Sequence, residues 1–160
     1  MTDIRQIIDT LRENGLRLAT AESCTGGLLA AAVTDIPGAS DVFDCGVVSY
    51  SNAIKAQVLS VSTDVLAEVG AVSHQTAQAM AKGVRSLAGA DIALSTTGIA
   101  GPGGGSKEKP VGLVYIGLAD REKSSSTENH FSGSREDVRS QTVAAALQQL
   151  ENYLADKGLI

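Results

Sequence analysis

The sequence predicts an α/β protein with a three-layer α/β/α architecture and a mixed, mostly parallel sheet. Segments with apolar residues at helical spacing alternate with short apolar runs that are typical of buried strands. Near the end of the chain, two strands follow each other without a helix between them, which indicates an antiparallel hairpin within that sheet. The 160 residues, 43% hydrophobic and 19% charged, also suit a single domain of ordinary size.

The first half of the chain alternates helices and strands. Apolar residues at helical spacing predict a first helix over residues 2–14, which Gly15 ends. We expect Pro37 to end the second helix and Asn52 to cap a short third one. After the first helix come a strand, a helix, a strand and two short helices, at residues 16–22, 25–36, 43–51, 52–59 and 63–69.

The second half contains one clear helix, three strands and a long last helix. The first of these helices begins at Ser73 and is closed by Gly89. Ser134 and Asp137 resemble a capping box at the start of the last helix, which runs to about Lys157. The three strands, of which the last two form the hairpin, are predicted at residues 91–97, 111–119 and 126–131.

Composition and charge argue against several classes of function. A net charge of −5 disfavours general binding to nucleic acid or to anionic membranes, which requires a basic face. The N-terminus has no apolar signal core, and no apolar run reaches the roughly 18 residues of a membrane span, so we expect a cytoplasmic protein. Cys24 and Cys45 have no metal-binding spacing and there are only two histidines, so we expect neither metal nor cofactor. The apolar helices of so small a domain predict a homo-oligomer.

Three loops follow three of the predicted strands and carry most of the candidate functional residues. They are residues 23–27, 49–55 and 96–105. Loops at the carboxyl ends of parallel strands collect at one edge of the sheet, where ligands usually bind. We therefore expect the three loops to meet in one site.

The first loop offers two candidate nucleophiles. Ser23 lies between a strand and a helix, where unpaired backbone N–H groups could stabilise an oxyanion, although a serine there is also a common helix cap. Cys24 is next to it, and a thiol at a helix N-terminus has a lowered pKa. The alternative for Cys24 is a small buried hydrophobic residue.

The second loop offers the candidate base. No histidine lies near Ser23 in sequence, whereas Lys55 stands in an otherwise uncharged stretch. A partly buried lysine beside a hydroxyl has a lowered pKa and can accept its proton, although a solvated lysine on a short helix is the commoner explanation of such a pattern. Tyr50 could relay a proton or stack on a flat ring, or simply be an amphipathic residue at a strand end.

The third loop and the last helix offer candidate groups for an anionic ligand. The glycine-rich segment 98–105 fits neither the Walker pattern nor the dinucleotide fingerprint, since a strand follows it. It can form a nest of N–H groups for an anion or a carboxamide, or be a flexible flap. Arg135 and Arg139, one turn apart at the start of the last helix, suit a phosphate or are exposed surface residues.

Five motifs, taken together, resemble the CinA C-terminal domain family. They are AESCTGG (21–27), GVVSYSNAIK (46–55), GAVS (70–73), TTGIAGPGGGSKEKPVG (96–112) and FSGSRE (131–136). The resemblance extends from about residue 5 to residue 155, and it implies one amidohydrolase domain over residues 1–160. Two-domain members carry an additional N-terminal pyrophosphatase-like domain, whose activity we do not expect here.

The resemblance implies a reaction and the residues that perform it. Single-domain members are amidohydrolases that convert nicotinamide mononucleotide to nicotinate mononucleotide and ammonia, with a Ser–Lys arrangement and no metal. By this resemblance Ser23 is the nucleophile, Lys55 the base and Tyr50 a supporting catalytic residue, with N–H groups near Gly26 and Gly27 holding the oxyanion. The residues expected to bind substrate are Thr25, Gly26, Gly27, Thr97, Gly98, Gly101, Arg135 and Arg139.

Two alternatives remain open from the sequence. The domain could bind a pyridine nucleotide without turning it over, in which case these residues are binding groups only. Cys24 could also replace Ser23 as the nucleophile of the same reaction.

Overall fold

The computed structural model describes all residues, Met1–Ile160, and contains six α-helices and five β-strands. A single 3₁₀ turn precedes the second strand. In chain order the elements are α1 (Ile4–Glu13), β1 (Leu18–Glu22), α2 (Leu28–Thr34), β2 (Phe43–Val48), α3 (Asn52–Leu59), α4 (Thr63–Val69), α5 (His74–Ala88), β3 (Ile92–Gly98), β4 (Leu113–Ala119), β5 (Ser124–His130) and α6 (Arg135–Asp156).

The five strands form one mixed sheet in the order β2-β1-β3-β4-β5. Strand β1 is parallel to both of its neighbours, β2 and β3, whereas β4 and β5 continue the sheet as antiparallel strands. The predicted three-layer α/β/α architecture is therefore confirmed. Because β1, β2 and β3 share one direction, the loops that follow them leave the sheet at the same edge.

Helices cover both faces of the sheet and create two apolar clusters. The larger cluster joins the sheet to α1, α2 and α6, and the smaller one joins it to α3, α4 and α5. All five residues of β1 are buried, as expected for a central strand covered on both faces. None of the helices is long and apolar enough to cross a lipid bilayer.

Several element boundaries differ from the sequence-based ones, and the first loop shows why. Gly26 and Gly27 have φ angles of +58° and +105°, which are outside the α-helical region, so α2 starts at Leu28 and residues 23–27 form a turn. Strand β2 stops at Val48, and the cap of α3 is Ser51, which accepts the N–H group of Ile54 at 3.2 Å, so the predicted cap at Asn52 is wrong by one residue. The capping box of Ser134 and Asp137 at the start of α6 is confirmed.

Gly83 allows α5 to pack directly against the end of α3. A Cβ atom at this position would lie 2.0 Å from the carbonyl oxygen of Leu59. In an exposed helix a Gly→Ala change stabilises by about 1 kcal/mol, but here we expect Gly83→Ala to lower the free energy of unfolding by roughly 2–3 kcal/mol because backbone must move. Urea denaturation measures the change in stability of Gly83→Ala and of a control variant, Gly103→Ala. A Cβ atom at Gly103 would have no atom within 4 Å. An increased midpoint for Gly83→Ala would refute this packing argument.

Candidate active site

The three loops that follow β1, β2 and β3 meet around one cavity of about 290 Å³. This confirms the expectation that they form a single site, and the volume is at the lower end for small-molecule sites, about 300–1,000 Å³. A larger, mainly apolar groove between α1, α2 and α6 contains none of the predicted site residues. The cavity is lined by Ser23, Cys24, Tyr50, Asn52, Lys55, Ala71, Val72, Thr97, Gly98, Ile99, Ala100, Gly101, Gly103, Gly104 and Arg135.

Ser23 and Lys55 are in direct contact in this cavity. Lys55 Nζ lies 3.0 Å from Ser23 Oγ, although 32 residues separate them in sequence. Ser23 follows the last residue of β1, and Lys55 lies in the first turns of α3, which begins beyond the end of β2. Since β1 and β2 are paired, the two strands bring the hydroxyl and the amine together.

The surroundings of Lys55 shift its protonation equilibrium towards the neutral amine. The side chain is only 1% exposed, and its burial lowers the pKa of the amine below the ordinary 10.5, while a smaller electrostatic effect of Cys24 raises it. No carboxylate forms an ion pair with Lys55. Its second partner is the backbone oxygen of Ser49, 2.8 Å from Nζ. A neutral amine can donate one proton to this carbonyl and direct its lone pair at the Ser23 hydroxyl.

Cys24 has the properties of a core residue rather than of a nucleophile. It is 5% exposed and belongs to the larger apolar cluster. Burial, as the largest effect, raises the pKa of its thiol to about 11, so the thiolate that would attack a carbonyl is scarce at neutral pH. The lowered pKa that its sequence position suggested is therefore wrong, and the alternative of a small buried residue agrees with the structure.

The turn that carries Ser23 is fixed by a buried carboxylate, that of Glu22. This side chain is fully buried and accepts hydrogen bonds from Thr25 Oγ1 at 2.6 Å and from the backbone N–H groups of Leu29 and Ala30 at 2.7 and 3.1 Å. The positive end of α2 and these three donors compensate its charge. The N–H groups of Leu29 and Ala30 are thus occupied by Glu22, and that of Leu28 by the carbonyl oxygen of Thr25, so the first N–H groups of α2 are not available to a ligand.

Free hydrogen-bond donors remain in the turn itself. The backbone N–H groups of Cys24, Thr25 and Gly27 donate to no acceptor in the protein, whereas the N–H group of Gly26 donates to Ser23 O at 3.1 Å. The expectation that the Gly26 N–H group would hold an oxyanion is therefore not supported by the geometry. The free N–H group of Cys24 is the first after the nucleophile, and Cys24 is the one of these three residues that lines the cavity.

Tyr50 and Arg135 form the rim of the cavity. The hydroxyl of Tyr50 accepts a hydrogen bond from Arg135 Nη2 at 2.9 Å, and Arg135 Nη1 donates to the carbonyl oxygen of Gly101 at 2.8 Å. The guanidinium group thus joins all three parts of the rim, which come from the second loop, the glycine-rich loop and the start of α6. Tyr50 is 61% exposed and is accessible to a ligand that enters from solvent.

Thr97 and Gly98, at the end of β3, form one wall of the cavity. The hydroxyl of Thr97 donates to the backbone oxygen of Ala71 at 2.7 Å, which ties this wall to the loop before α5. A Cβ atom at Gly98 would lie 2.6 Å from a methyl group of Val114 and 2.7 Å from the carbonyl oxygen of Leu113. Close packing against β4 therefore explains this glycine without a ligand.

Four of the residues predicted to bind substrate lie outside the cavity. Gly26 and Gly27 provide the turn conformation, and the Thr25 side chain is buried between Glu22 and Thr96. The fourth residue, Arg139, binds the backbone oxygens of the turn instead of facing the cavity. Of the two arginines that the sequence left open, Arg135 alone lines the cavity.

Sequence reasoning missed three contributors to this site. Glu22 supports the turn, Ser49 supplies the carbonyl that holds Lys55, and the segment Ala71–Val72 closes one side of the cavity. A charged residue at the end of an otherwise apolar strand is a visible signal for Glu22. A backbone carbonyl leaves no signal in the residue type.

The chain matches the family model described as the CinA C-terminal domain over residues 2–154. It is 54% identical over 148 residues to a competence-damage inducible protein of Thermoanaerobacter pseudethanolicus, a match that covers 92% of this chain and 36% of that relative. It is also 52% identical over 143 residues to a CinA-like protein of Geobacter sulfurreducens, covering 89% of this chain and 35% of the relative. The chain therefore spans about a third of the length of these curated relatives.

Solved structures of similar length share the fold. The competence/damage inducible protein CihA from Agrobacterium tumefaciens is 46% identical and superimposes with a TM-score of 0.91, covering 93% of this chain and 92% of that one. A CinA superfamily protein from Klebsiella pneumoniae is 39% identical, with a TM-score of 0.92 and coverage of 96% of both chains.

Proposed function

This chain belongs to the CinA C-terminal domain family, and we propose that it is a serine amidohydrolase that converts nicotinamide mononucleotide to nicotinate mononucleotide and ammonia. Family membership confirms the resemblance that its motifs predicted. The observation that carries the proposed reaction is the 3.0 Å contact between Ser23 Oγ and a buried Lys55 Nζ whose pKa is lowered. A hydroxyl paired with a neutral amine is an activated nucleophile.

In the proposed acylation step, Lys55 accepts the proton of Ser23 while Ser23 Oγ attacks the carboxamide carbon of the nicotinamide. The carbonyl oxygen becomes an oxyanion, for which the free N–H group of Cys24, a residue that lines the cavity, is the candidate donor. A single such donor contributes about 3–4 kcal/mol to lowering a barrier of this kind. The protonated Lys55 then gives its proton to the departing nitrogen, which leaves as ammonia.

Deacylation uses the same groups in reverse order. Lys55, neutral again, removes a proton from a water molecule that attacks the nicotinoyl ester of Ser23. The bond from the carbonyl carbon to Ser23 Oγ breaks, and the proton returns from Lys55 to Ser23 Oγ. Nicotinate mononucleotide leaves with the free enzyme restored.

The rim of the cavity suits the rest of the nucleotide. Arg135 lines the cavity and carries the guanidinium group there. A phosphate oxygen can replace its two neutral hydrogen-bond acceptors, the Tyr50 hydroxyl and the Gly101 carbonyl. The pyridinium ring carries a positive charge, so a protein with a net charge of −5 does not repel it.

Release of ammonia from nicotinamide mononucleotide by the purified protein tests the proposed function directly. We expect turnover by the wild type and none above background by Ser23→Ala, with a parallel binding measurement by calorimetry. A wild type that binds the nucleotide but releases no ammonia would instead support the noncatalytic pyridine-nucleotide-binding module.

Arg135→Ala is expected mainly to raise KM for nicotinamide mononucleotide. Loss of a charged hydrogen bond to a phosphate costs about 1.5–3 kcal/mol, which corresponds to an increase of roughly 10- to 100-fold. Arg135→Lys keeps the positive charge and should recover part of this loss. Steady-state kinetics with both variants measure the effect, and an unchanged KM in Arg135→Ala would remove Arg135 from substrate binding.

A further inference from the structure

Three consecutive carbonyl groups of the turn that carries Ser23 are held by hydrogen bonds. The oxygen of Ser23 accepts the N–H group of Gly26 at 3.1 Å. The next two oxygens are bound by one guanidinium group, since Arg139 Nε donates to Cys24 O and Arg139 Nη2 donates to Thr25 O, both at 3.1 Å. Thr25 O also accepts the N–H group of Leu28 at 3.0 Å. Arg139 reaches them from α6, more than 110 residues away in the chain.

The orientation of these carbonyl groups determines where the N–H groups of the same peptides point. The only cis peptide bond of the chain is elsewhere, between Gly101 and Pro102. In a planar trans peptide the carbonyl and N–H groups point in opposite directions. Arg139 binds Thr25 O and so orients the peptide that carries the Gly26 N–H group, which in turn holds Ser23 O. Ser23 O belongs to the same peptide as the free N–H group of Cys24, a residue that lines the cavity.

We propose that Arg139 is a positioning residue that orients the peptide groups after Ser23 so that the free N–H group of Cys24 faces the oxyanion of the reaction. The inference rests on the proposed function. Arg139 does not touch the substrate in this proposal, and its positive charge acts only through the two backbone oxygens that it binds.

Two further observations explain why an arginine performs this task. The planar guanidinium group presents donors to two oxygens at once, whereas a lysine offers a single ammonium group that cannot match this geometry. Gly26 also makes room for it, since a Cβ atom there would lie only 3.3 Å from Arg139 Nη2. On the other side of the turn, Glu22 binds Thr25 Oγ1, so that the turn is held through its carbonyls by Arg139 and through a side chain by Glu22.

Arg139→Ala should lower kcat by about 10²-fold, the loss seen when a single oxyanion donor is removed, and leave KM within about threefold of the wild type. We expect millimolar guanidinium chloride to restore a substantial part of kcat in this variant, and the same concentration of ammonium chloride to restore none. Arg139→Lys, which keeps the charge and most of the packing, should show an intermediate kcat. Arg135→Ala is the matched control, because it changes KM and gains no kcat from guanidinium.

A second measurement does not depend on catalysis. Hydrogen exchange of the Gly26 amide, which is bonded to Ser23 O, should be faster in Arg139→Ala than in the wild type. An unchanged kcat in Arg139→Ala, or a lowered kcat that guanidinium does not restore, overturns the positioning role. If the wild type itself releases no ammonia, the proposed function fails, and the exchange rate of the Gly26 amide alone decides whether Arg139 orders the turn.

Discussion

Replacing Ser23 with alanine is expected to lower kcat for ammonia release by about 10⁴-fold or more, since removal of the nucleophile from a serine hydrolase leaves only the contribution of binding and of the oxyanion donors. The hydroxyl is the atom in contact with Lys55, so the variant loses both the nucleophile and the proton that the amine accepts. Because Ser23 is 9% exposed and the change removes a single oxygen, the fold should persist. Circular dichroism of the variant checks this.

Cys24→Ala is the natural control for this experiment. Its thiol is buried in the apolar cluster with a pKa of about 11, so we expect a modest loss of stability and nearly normal kcat. The two variants differ by one position in the same turn, which separates the loss of a nucleophile from a disturbance of the turn. Abolished turnover in Cys24→Ala with retained turnover in Ser23→Ala would transfer the nucleophile to the thiol.

The pairing of Ser23 with Lys55 could be predicted from the sequence because it follows from topology. Both residues come after strands of the same parallel set, and β1 and β2 are adjacent in the sheet. The absence of a nearby histidine left Lys55 as the candidate base. The motifs of the family then selected catalysis over the alternatives of a helix cap and a solvated lysine.

Sequence reasoning was wrong about residues whose role depends on backbone conformation or on how a helix packs. Gly26 and Gly27 suggest a close approach of ligand to backbone, but their positive φ angles are required by the turn itself. Arg135 and Arg139 are equivalent in sequence, one turn apart on a helix. Only the packing of α6 over the turn decides that Arg135 reaches the rim of the cavity and Arg139 the carbonyl groups behind it.

Glu22 shows a second reason why sequence alone falls short. A buried carboxylate beside a candidate serine suggests a catalytic acid, yet its oxygens are occupied by Thr25 and by two N–H groups of α2. Its role is to hold the start of α2 against β1. The distinction depends on hydrogen-bond partners that come from residues three to eight positions later, which residue type does not reveal.

Lys55→Met should also abolish turnover, with a fall in kcat of at least about 10³-fold, because general-base catalysis contributes roughly 10²–10⁴-fold and here also activates the nucleophile. The base must be neutral to accept a proton, so kcat/KM of the wild type should rise with pH through the lowered pKa of Lys55 and then level off. The residual activity of Lys55→Met should lack this rise. A wild-type profile that falls with increasing pH across the same range would contradict a lysine base.

The same substitution should change how stability depends on pH, which tests the buried amine without any substrate. The pKa of Lys55 is lowered in the folded protein and near 10.5 in the unfolded chain, so between these values the unfolded state binds more protons. The free energy of unfolding of the wild type therefore rises with pH across that window, and below the folded pKa the cost of burying the ammonium is present in full. Methionine does not titrate, so the stability of the wild type relative to Lys55→Met should increase from the folded pKa towards pH 10.5. Urea denaturation of both proteins at several pH values measures this difference in the free energy of unfolding. A difference that shrinks as the pH rises would mean that the folded state stabilises the ammonium form of Lys55, whereas the proposed mechanism requires the neutral amine.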